Sequence, residues 1–180
     1  MRIFLAGISC VGKTTIGAEL AALFNCRFYD LDDEIEKYFS TPIERLIDKF
    51  WGMHSFRKEA SKALKHILDQ QESLISVIAL PPSGLMDSYW RLVKKSNGIT
   101  VVLTDYAENI LERIIFTDKD SKPIQKILTP KERSYYLKEI NKNITYYKRT
   151  YKRANLTVHI SGLKPDQAAL KIKEALKNLG

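Results

Sequence analysis

Residues 7–14 read GISCVGKT, a glycine-rich run that constrains this chain more than any other part of its sequence. The run matches the pattern G-x-x-x-x-G-K-[ST], in which backbone N–H groups wrap a phosphate and a lysine reaches the outer phosphates of a nucleotide. It follows a short apolar segment predicted as a strand and precedes a segment predicted as a helix, which is the context that the pattern requires. The sequence therefore predicts a nucleotide-phosphate site, and an accidental glycine turn before a helix is the alternative.

The residues of this run have separate expected roles. Lys13 is the expected catalytic lysine, because its ammonium group would reach the β- and γ-phosphates of ATP. The hydroxyl of Thr14 is an expected magnesium ligand. The helix that follows would add the positive end of its dipole to the phosphate site. The expected ATP-binding residues here are Cys10, Val11, Gly12, Lys13, Thr14 and Thr15.

Along the rest of the chain, apolar stretches of strand length alternate with stretches of helical periodicity. This alternation predicts an α/β fold of three layers, with a five-stranded, mostly parallel sheet covered by helices on both faces. No repeat or linker interrupts it, so one domain is expected over residues 1–180. The predicted strands are 3–6, 27–29, 74–80, 100–104 and 156–160. The predicted helices are 13–24, 33–38, 42–50, 56–71, 84–95, 107–113, 131–153 and 165–179.

Composition excludes several other classes of protein. No apolar run approaches the roughly 18–20 residues that a membrane span needs, and the four apolar residues after Arg2 are too few for a signal peptide. Two cysteines cannot build a disulfide framework, and the three histidines share no metal-ligand spacing. We therefore expect a cytoplasmic protein without a membrane partner.

An acidic turn follows the second predicted strand. Ligands of open parallel sheets bind beyond the carboxyl ends of the strands, where Asp30 and Asp32 are expected. In an extended stretch these two side chains point to the same side, so one could hold magnesium through water while the other accepts a proton from an attacking hydroxyl. The alternative is a helix cap with a negatively charged first turn, and Asp33 and Glu34 are assigned to it.

Two further features involve positive charge. Arg57 is predicted at a helix start, where it opposes the helix dipole, so it either faces an anionic ligand or pairs with a nearby acid such as Glu59.

Residues 122–153 hold ten Lys and Arg against two acids, while the rest of the chain is about neutral. This basic segment predicts binding to an anion, and the phosphates of ATP and product are favoured over nucleic acid. A polar loop at 117–123 is expected to be a mobile lid.

The basic segment also carries a predicted helix with one apolar face. The residues of this face recur at intervals of three and four, so its tyrosines are expected in the core rather than in base stacking. The predicted face consists of Leu137, Ile140, Ile144, Tyr147 and Tyr151.

These residues together resemble the shikimate kinases. The resemblance rests on residues 7–15, on FYDLD at 28–32, on Phe56-Arg57, and on the order of the later strands and helices, and it covers essentially the whole chain. It implies a five-stranded parallel sheet of nucleotide-kinase type, ATP and Mg²⁺, and phosphoryl transfer to a ring hydroxyl. It also implies an acceptor-binding helical region at about 31–72 and a lid at about 114–130.

The resemblance assigns roles to individual residues. Magnesium is placed on Thr14 and, through water, on Asp30. Asp32 and Arg57 are implied to hold the hydroxyl and carboxylate of the acceptor. Arg113 is implied to pack near adenine. Among the further implied site residues, Lys122 takes the place of a lid arginine that clamps the transferring phosphate, so the catalytic set is Lys13, Asp32 and Lys122.

Three departures from the family pattern affect the acceptor side. Pro81-Pro82-Ser83 replaces three consecutive glycines, which removes two N–H donors. Asn143 stands where an arginine would bind the acceptor carboxylate. Lys122 stands where the family has another arginine, and its ammonium group is a point charge that cannot bind a phosphate in the bidentate manner of a guanidinium group. The expected function is transfer of the γ-phosphoryl group to shikimate or a similar small carboxylated acceptor by a monomeric enzyme. The alternatives are a kinase for another metabolite and a nucleotide-binding regulatory or nucleic-acid-binding protein without kinase activity.

Overall fold

Five parallel strands form the central sheet of a computed structural model that describes residues 1–70, 75–117 and 123–179. The strands are β1 (Arg2–Ala6), β2 (Arg27–Asp30), β3 (Ser76–Ala79), β4 (Ile99–Thr104) and β7 (Leu156–His159), with the short β5 (Phe116–Thr117) and β6 (Pro123–Ile124) outside the sheet. The order in the sheet is β2-β3-β1-β4-β7. This confirms the α/β prediction, and the sheet is parallel throughout rather than mostly parallel.

The described residues contain eight helices between or after the strands, one in each predicted helical stretch. They are α1 (Lys13–Leu23), α2 (Leu31–Phe39), α3 (Ile43–Ile47), α4 (Met53–Asp69), α5 (Asp87–Lys95), α6 (Ala107–Glu112), α7 (Pro130–Tyr151) and α8 (Pro165–Lys177). Within the described ranges, no helix combines the length and the apolar composition that a bilayer crossing needs. Three helices begin earlier than predicted, α2 by two residues, α4 by three and α7 by one, and the differences in α2 and α4 affect the site.

The three central strands, β1, β3 and β4, are buried on both faces, so successive residues of these strands enter different cores. In β1, Ile3 and Leu5 pack with helices α1, α6, α7 and α8, whereas Phe4 and Ala6 pack with helices α2 to α5. Val77 and Ile78 of β3 divide between the two cores in the same way. This explains why the strands read as continuous apolar runs rather than as alternating patterns. The three layers follow directly from it.

The turn after β1 requires glycine. Gly7 has a φ of 144°, and a Cβ atom there would lie 2.7 Å from the carbonyl oxygen of Leu103 in β4. Gly12, which caps α1, has a φ of 103°. Both angles lie in the left-handed region that side chains disfavour. The loop between these two glycines therefore lies tightly against the carboxyl end of the sheet.

The segment predicted as a loop at 117–123 is flanked by two short strands that the sequence did not predict. β5 and β6 pair in antiparallel fashion, with Phe116 opposite Ile124. Residues 118–122, which include the lid cation Lys122, lie outside the described residues, as do positions 71–74 at the predicted end of α4 and start of β3.

Candidate active site

The loop at 7–14 encloses the ammonium group of Lys13. Its Nζ donates hydrogen bonds to the carbonyl oxygens of Gly7, at 3.1 Å, and Ile8, at 2.9 Å. Burial lowers the pKa of Lys13, and the charges of Asp32 and Asp30 oppose this effect. Both acids therefore lie close enough to Lys13 to interact with it electrostatically. The predicted neighbourhood of the lysine and the two acids is present.

Thr14 and Asp30 are in direct contact. The Thr14 hydroxyl donates to Asp30 Oδ2 at 2.5 Å, so the two predicted magnesium ligands lie side by side. Asp30 Oδ1 accepts from the backbone N–H of Asp32 at 3.1 Å, which makes Asp30 the N-cap of α2. The N-cap is therefore Asp30 rather than Asp33, while the expected acidic first turn is present and includes Asp33 and Glu34. Asp30 is the last residue of β2, and its carboxylate caps α2.

Asp32 lies in the first turn of α2 rather than on an extended segment. The prediction that it follows Asp30 along a strand is wrong, although both carboxylates still lie close to Lys13. Burial raises the pKa of Asp32 to about 6, the charge of Asp30 adds to the rise, and Lys13 opposes it. A carboxyl group with this pKa is mostly ionised at neutral pH and can still take up a proton, which suits a general base.

The contact between Thr14 and Asp30 fits magnesium. A hydroxyl and a carboxylate are hard oxygen ligands, and Mg²⁺ in kinase sites takes one or two protein ligands together with waters and substrate phosphates. Among the residues that the structure describes, no three His, Cys, Asp or Glu side chains are grouped to hold a metal. The oxygens of Thr14 and Asp30 therefore fit an ion that completes its coordination with nucleotide phosphates and water.

Arg57 lies in the second turn of α4 and is paired with an acid that the sequence did not indicate. Its Nε and Nη2 atoms lie 2.9 and 2.8 Å from Oδ2 of Asp87, at the start of α5. His54 Nδ1 lies 3.5 Å from the same oxygen. Arg57 is therefore not at a helix start, and Glu59 pairs with Lys62 instead. Nothing in the local sequence predicts the pair, because it depends on how the chain returns after β3.

Arg113 is held at the end of β4 by a second acid that the sequence analysis missed. Its Nη2 lies 2.6 Å from Oδ2 of Asp105, whose side chain is fully buried. Burial alone would raise the pKa of Asp105, but hydrogen bonds from Asn109 and Arg113 hold it below its usual range. Asn109 also donates to the Ser161 hydroxyl at 3.1 Å. The sequence did contain a signal for this acid, because Asp105 directly follows a buried strand, just as Asp30 is the last residue of a strand.

The loop that replaces three glycines is fixed by the end of α7. The Tyr151 hydroxyl donates to the carbonyl oxygen of Pro82 at 3.1 Å, and Arg153 Nη1 donates to that of Leu85 at 2.7 Å. Gly84 N–H donates to the Pro81 carbonyl oxygen at 2.8 Å and closes a turn. These contacts anchor the carbonyl groups of the loop and hold its backbone in one path.

Asn143 lies on the side of α7 that faces the phosphate loop. It lines a cavity of about 240 Å³ together with Cys10, Pro82 and Tyr147. The predicted apolar face of α7 is confirmed, with Ile140 buried and its other members packed against the core. The structure therefore places Asn143 between the phosphate loop and the loop at 81–85.

The remaining predicted residues are placed as follows. Val11 is buried beneath the loop, while Thr15 is exposed in the first turn of α1. Part of the basic segment is neutralised by ion pairs, such as Lys142 with Glu139 at 2.5 Å and Arg133 with Glu112 at 2.7 Å.

Cys10 offers a direct test of nucleotide binding. It is exposed within the loop, and we expect MgATP to slow its alkylation severalfold, because the phosphates cover the loop and their negative charge disfavours the thiolate. Burial raises the pKa of this thiol, so the alkylation rate is best measured by mass spectrometry in alkaline buffer, which increases the thiolate fraction. Cys26, at the opposite edge of the sheet, is the internal control. Equal rates at Cys10 with and without MgATP would contradict binding at this loop.

Comparison with known proteins gives a consistent result. The family model described as shikimate kinase matches residues 9–177. The shikimate kinase of Aquifex aeolicus is 32% identical over 180 residues, which cover 99% of this chain and 96% of that protein.

Two solved structures have the same fold. The structure of shikimate kinase from Aquifex aeolicus has a TM-score of 0.73 at 26% identity and covers 99% of this chain and 98% of its own. The structure of shikimate kinase from Acinetobacter baumannii in complex with shikimate has a TM-score of 0.77 at 22% identity and covers 99% of this chain and 93% of its own.

Proposed function

The chain belongs to the shikimate kinase family, and from this membership we propose that it transfers the γ-phosphoryl group of ATP to a hydroxyl group of shikimate. The observation that carries the proposal is the meeting of Lys13, the Thr14–Asp30 contact and Asp32 at the carboxyl edge of β1 and β2. This arrangement places a cation, two metal-binding oxygens and a base within one site. Phosphoryl transfer needs these groups together.

The nucleotide side uses the phosphate loop. Lys13 leaves the carbonyl groups of Gly7 and Ile8 and donates to the β- and γ-phosphates, where its charge stabilises the charge that develops during transfer. Thr14 and Asp30 would hold Mg²⁺, which would offset the charge of the phosphates when bound. Arg113, fixed by Asp105, is proposed to lie beside adenine.

The acceptor side uses Asp32 and Arg57. Asp32 orients the acceptor hydroxyl and takes its proton as the oxygen forms a bond to the γ-phosphorus. The bond between that phosphorus and the bridging oxygen breaks at the same time, and the electron pair leaves with ADP. Arg57 presents its guanidinium group to the acceptor carboxylate, and Asn143 adds a neutral contact in place of a second charge. Lys122 is proposed to contact the transferring phosphate from the lid with its ammonium group.

The wider proposal covers the whole chain. It includes one catalytic domain over residues 1–180, an acceptor-binding region at about 31–72 and a lid at about 114–130. The proposal also includes a monomeric enzyme in the cytoplasm, and the free thiols of Cys10 and Cys26 suit a reducing compartment. Family membership favours this kinase over the alternatives of another acceptor or a non-catalytic nucleotide-binding protein.

A coupled assay of ADP release tests the proposed function. With MgATP and shikimate, we expect release that saturates with shikimate and exceeds the release without acceptor by at least about tenfold. The product is identified by mass spectrometry as the acceptor plus one phosphoryl group. Nucleotide-dependent protection of Cys10 without shikimate-dependent release would contradict the proposed acceptor and preserve the nucleotide site. A panel of neutral sugars and sugar acids then tests for another hydroxyl acceptor.

A further inference from the structure

Another cavity lies between helix α7 and the face of the sheet that β4 and β7 form. Its volume is about 430 Å³, within the range of roughly 300–1,000 Å³ that is typical of small-molecule sites. Helix α7 covers this part of the sheet loosely. Ile140 is the one buried residue among its 22, all of which the structure describes, and Thr157 on the edge strand β7 is exposed. An opening of ligand size therefore remains beside the edge of the sheet.

The walls of this cavity are mainly apolar. Ile144 and Tyr151 of α7 are only partly buried and present their side chains to the cavity from one face of the helix. The deeper walls include Ile8 of the phosphate loop, Val102 of β4 and Ile110 of α6. Covering apolar surface in this way contributes roughly 25 cal/mol per Å² to the binding of a ligand. The cavity therefore favours a ligand with an apolar body over an inorganic ion or a sugar.

Two cations lie where the cavity opens to solvent. Lys148 and Lys152 are both exposed and both line it, in the last turn of α7 and at its C-cap. Neither has an ion-pair partner among the residues that the structure describes. They are four residues apart, a spacing at which like charges repel each other. A negative group bound between the two ammonium groups would relieve this repulsion.

The other polar groups of the walls do not oppose a negative ligand. Asp105 lines the cavity, but its side chain is fully buried and its carboxylate is neutralised by Arg113, at 2.6 Å. The hydroxyl of Thr157 has no hydrogen-bond partner within the described part of the chain, so it is free to donate to a ligand oxygen. The charge of the open cavity is therefore positive.

We propose that this cavity binds a small anion with an apolar body, such as an aromatic carboxylate, whose negative group lies between Lys148 and Lys152. The apolar body packs against Ile144 and the ring of Tyr151, and the Thr157 hydroxyl donates to the anion. This binding site goes beyond the proposed kinase activity and does not depend on the identity of the phosphoryl acceptor.

The proposed site is separate from the catalytic site. Among the described residues that line the cavity, neither Lys13 nor Asp32 is present. The two sites share one wall, because Ile8 lines both this cavity and the cavity beside Asn143. A ligand bound here therefore contacts a side chain of the phosphate loop but not its lysine.

Binding of 2-naphthoate tests the inference, because this compound joins two aromatic rings to one carboxylate. Equilibrium dialysis against the full chain, with and without saturating MgATP, measures the affinity. We expect one molecule bound per chain, with a dissociation constant that MgATP leaves unchanged within a factor of about three. Naphthalene-2-methanol has the same rings without the charge, and it should bind at least about fivefold more weakly.

Substitutions test the charge and the space of the cavity separately. Lys148→Met and Lys152→Met should each weaken binding of 2-naphthoate roughly fivefold, whereas Lys138→Met, an exposed change outside the cavity, should not. Thr157→Phe fills the cavity from β7 and should abolish binding, with a melting temperature close to that of wild type. Thr157→Val keeps the size of the side chain and should weaken binding only about threefold, as for the loss of one hydrogen bond.

Three results would each overturn the inference. The first is no saturable binding up to about 1 mM 2-naphthoate. The second is displacement of the probe by MgATP, which would place it in the nucleotide site. The third is equal affinity in wild type, Lys148→Met and Lys152→Met, because the lysines would then only offset the negative end of the helix dipole. None of these readouts uses kinase activity, so the inference and the proposed function fail independently.

Discussion

Replacing Lys13 with methionine is expected to lower kcat for phosphoryl transfer by roughly 10³-fold. The ammonium group is the one side-chain cation that the described part of the phosphate loop encloses, and preorganised charge is a large contributor to stabilising a transition state. Methionine keeps most of the length of the side chain. The fold should persist with a melting temperature within a few degrees of wild type, because the hydrogen bonds that Lys13 makes among the described residues stay within its own loop. Single-turnover measurement of ADP formation separates this loss from weaker ATP binding.

Lys62→Met is the matched control for this substitution. Lys62 is exposed on α4 and pairs with Glu59, three residues away, so the variant loses the same charge outside the site. Its kcat should equal that of wild type within a factor of about two, because Lys62 lies outside the site. Its stability should also change little, since exposed ion pairs contribute little to stability. Comparable activity in Lys13→Met and wild type would refute the assignment of the catalytic lysine.

Replacing Asp32 with asparagine is expected to lower kcat by roughly 10²-fold or more, because the amide can still contact a hydroxyl but cannot take its proton. In wild type, kcat/KM for the acceptor should fall below pH 6, the pKa to which burial and Asp30 raise this carboxyl group. At pH 5 it should be about one tenth of its plateau, and the low-pH limb should disappear in the variant.

Asp33→Asn is the control for this change. It removes the same charge from the same helical turn, but its side chain is exposed, so the pH profile should keep its low-pH limb. Stability gives a second readout. The folded chain raises the pKa of Asp32 above the unfolded value near 4, so this group stabilises the fold fully below that pH. The contribution is lost as the pH rises through 6, and Asp32→Asn should remove that dependence. A limb that survives in Asp32→Asn would assign the titration to another group.

The helices and the main strands could be predicted because their signals are local. A buried parallel strand reads as a short apolar run whichever neighbour it pairs with, and the helical stretches show their own periodicity. The phosphate loop could be predicted equally well, because its glycines, lysine and threonine lie within eight consecutive residues. Boundaries were less accurate. Helix α2 begins at Leu31 because Asp30 caps it, a role that competed with four neighbouring acids in the sequence.

The second half of the site depends on contacts between distant elements, and the sequence showed little of it. Arg57 was found, but its partner Asp87 lies 30 residues further on, in a segment whose path is set by the loop after β3. Tyr89 is buried with a hydroxyl that has no hydrogen-bond partner among the described residues, and this cannot be recognised without knowing which groups surround it. An aromatic residue at a helical spacing predicts burial and nothing about its polar atom. Such pairings need the tertiary structure.

The hydrogen bonds from Tyr151 and Arg153 to the loop at 81–85 make α7 a bridge between two distant parts of the chain. This helix has 22 residues and a length of about 33 Å, and its first turn follows closely after β6. At and just beyond its other end, Tyr151 and Arg153 donate to the carbonyl groups of Pro82 and Leu85. One continuous helix therefore connects the residues that follow β6 with the loop that follows β3.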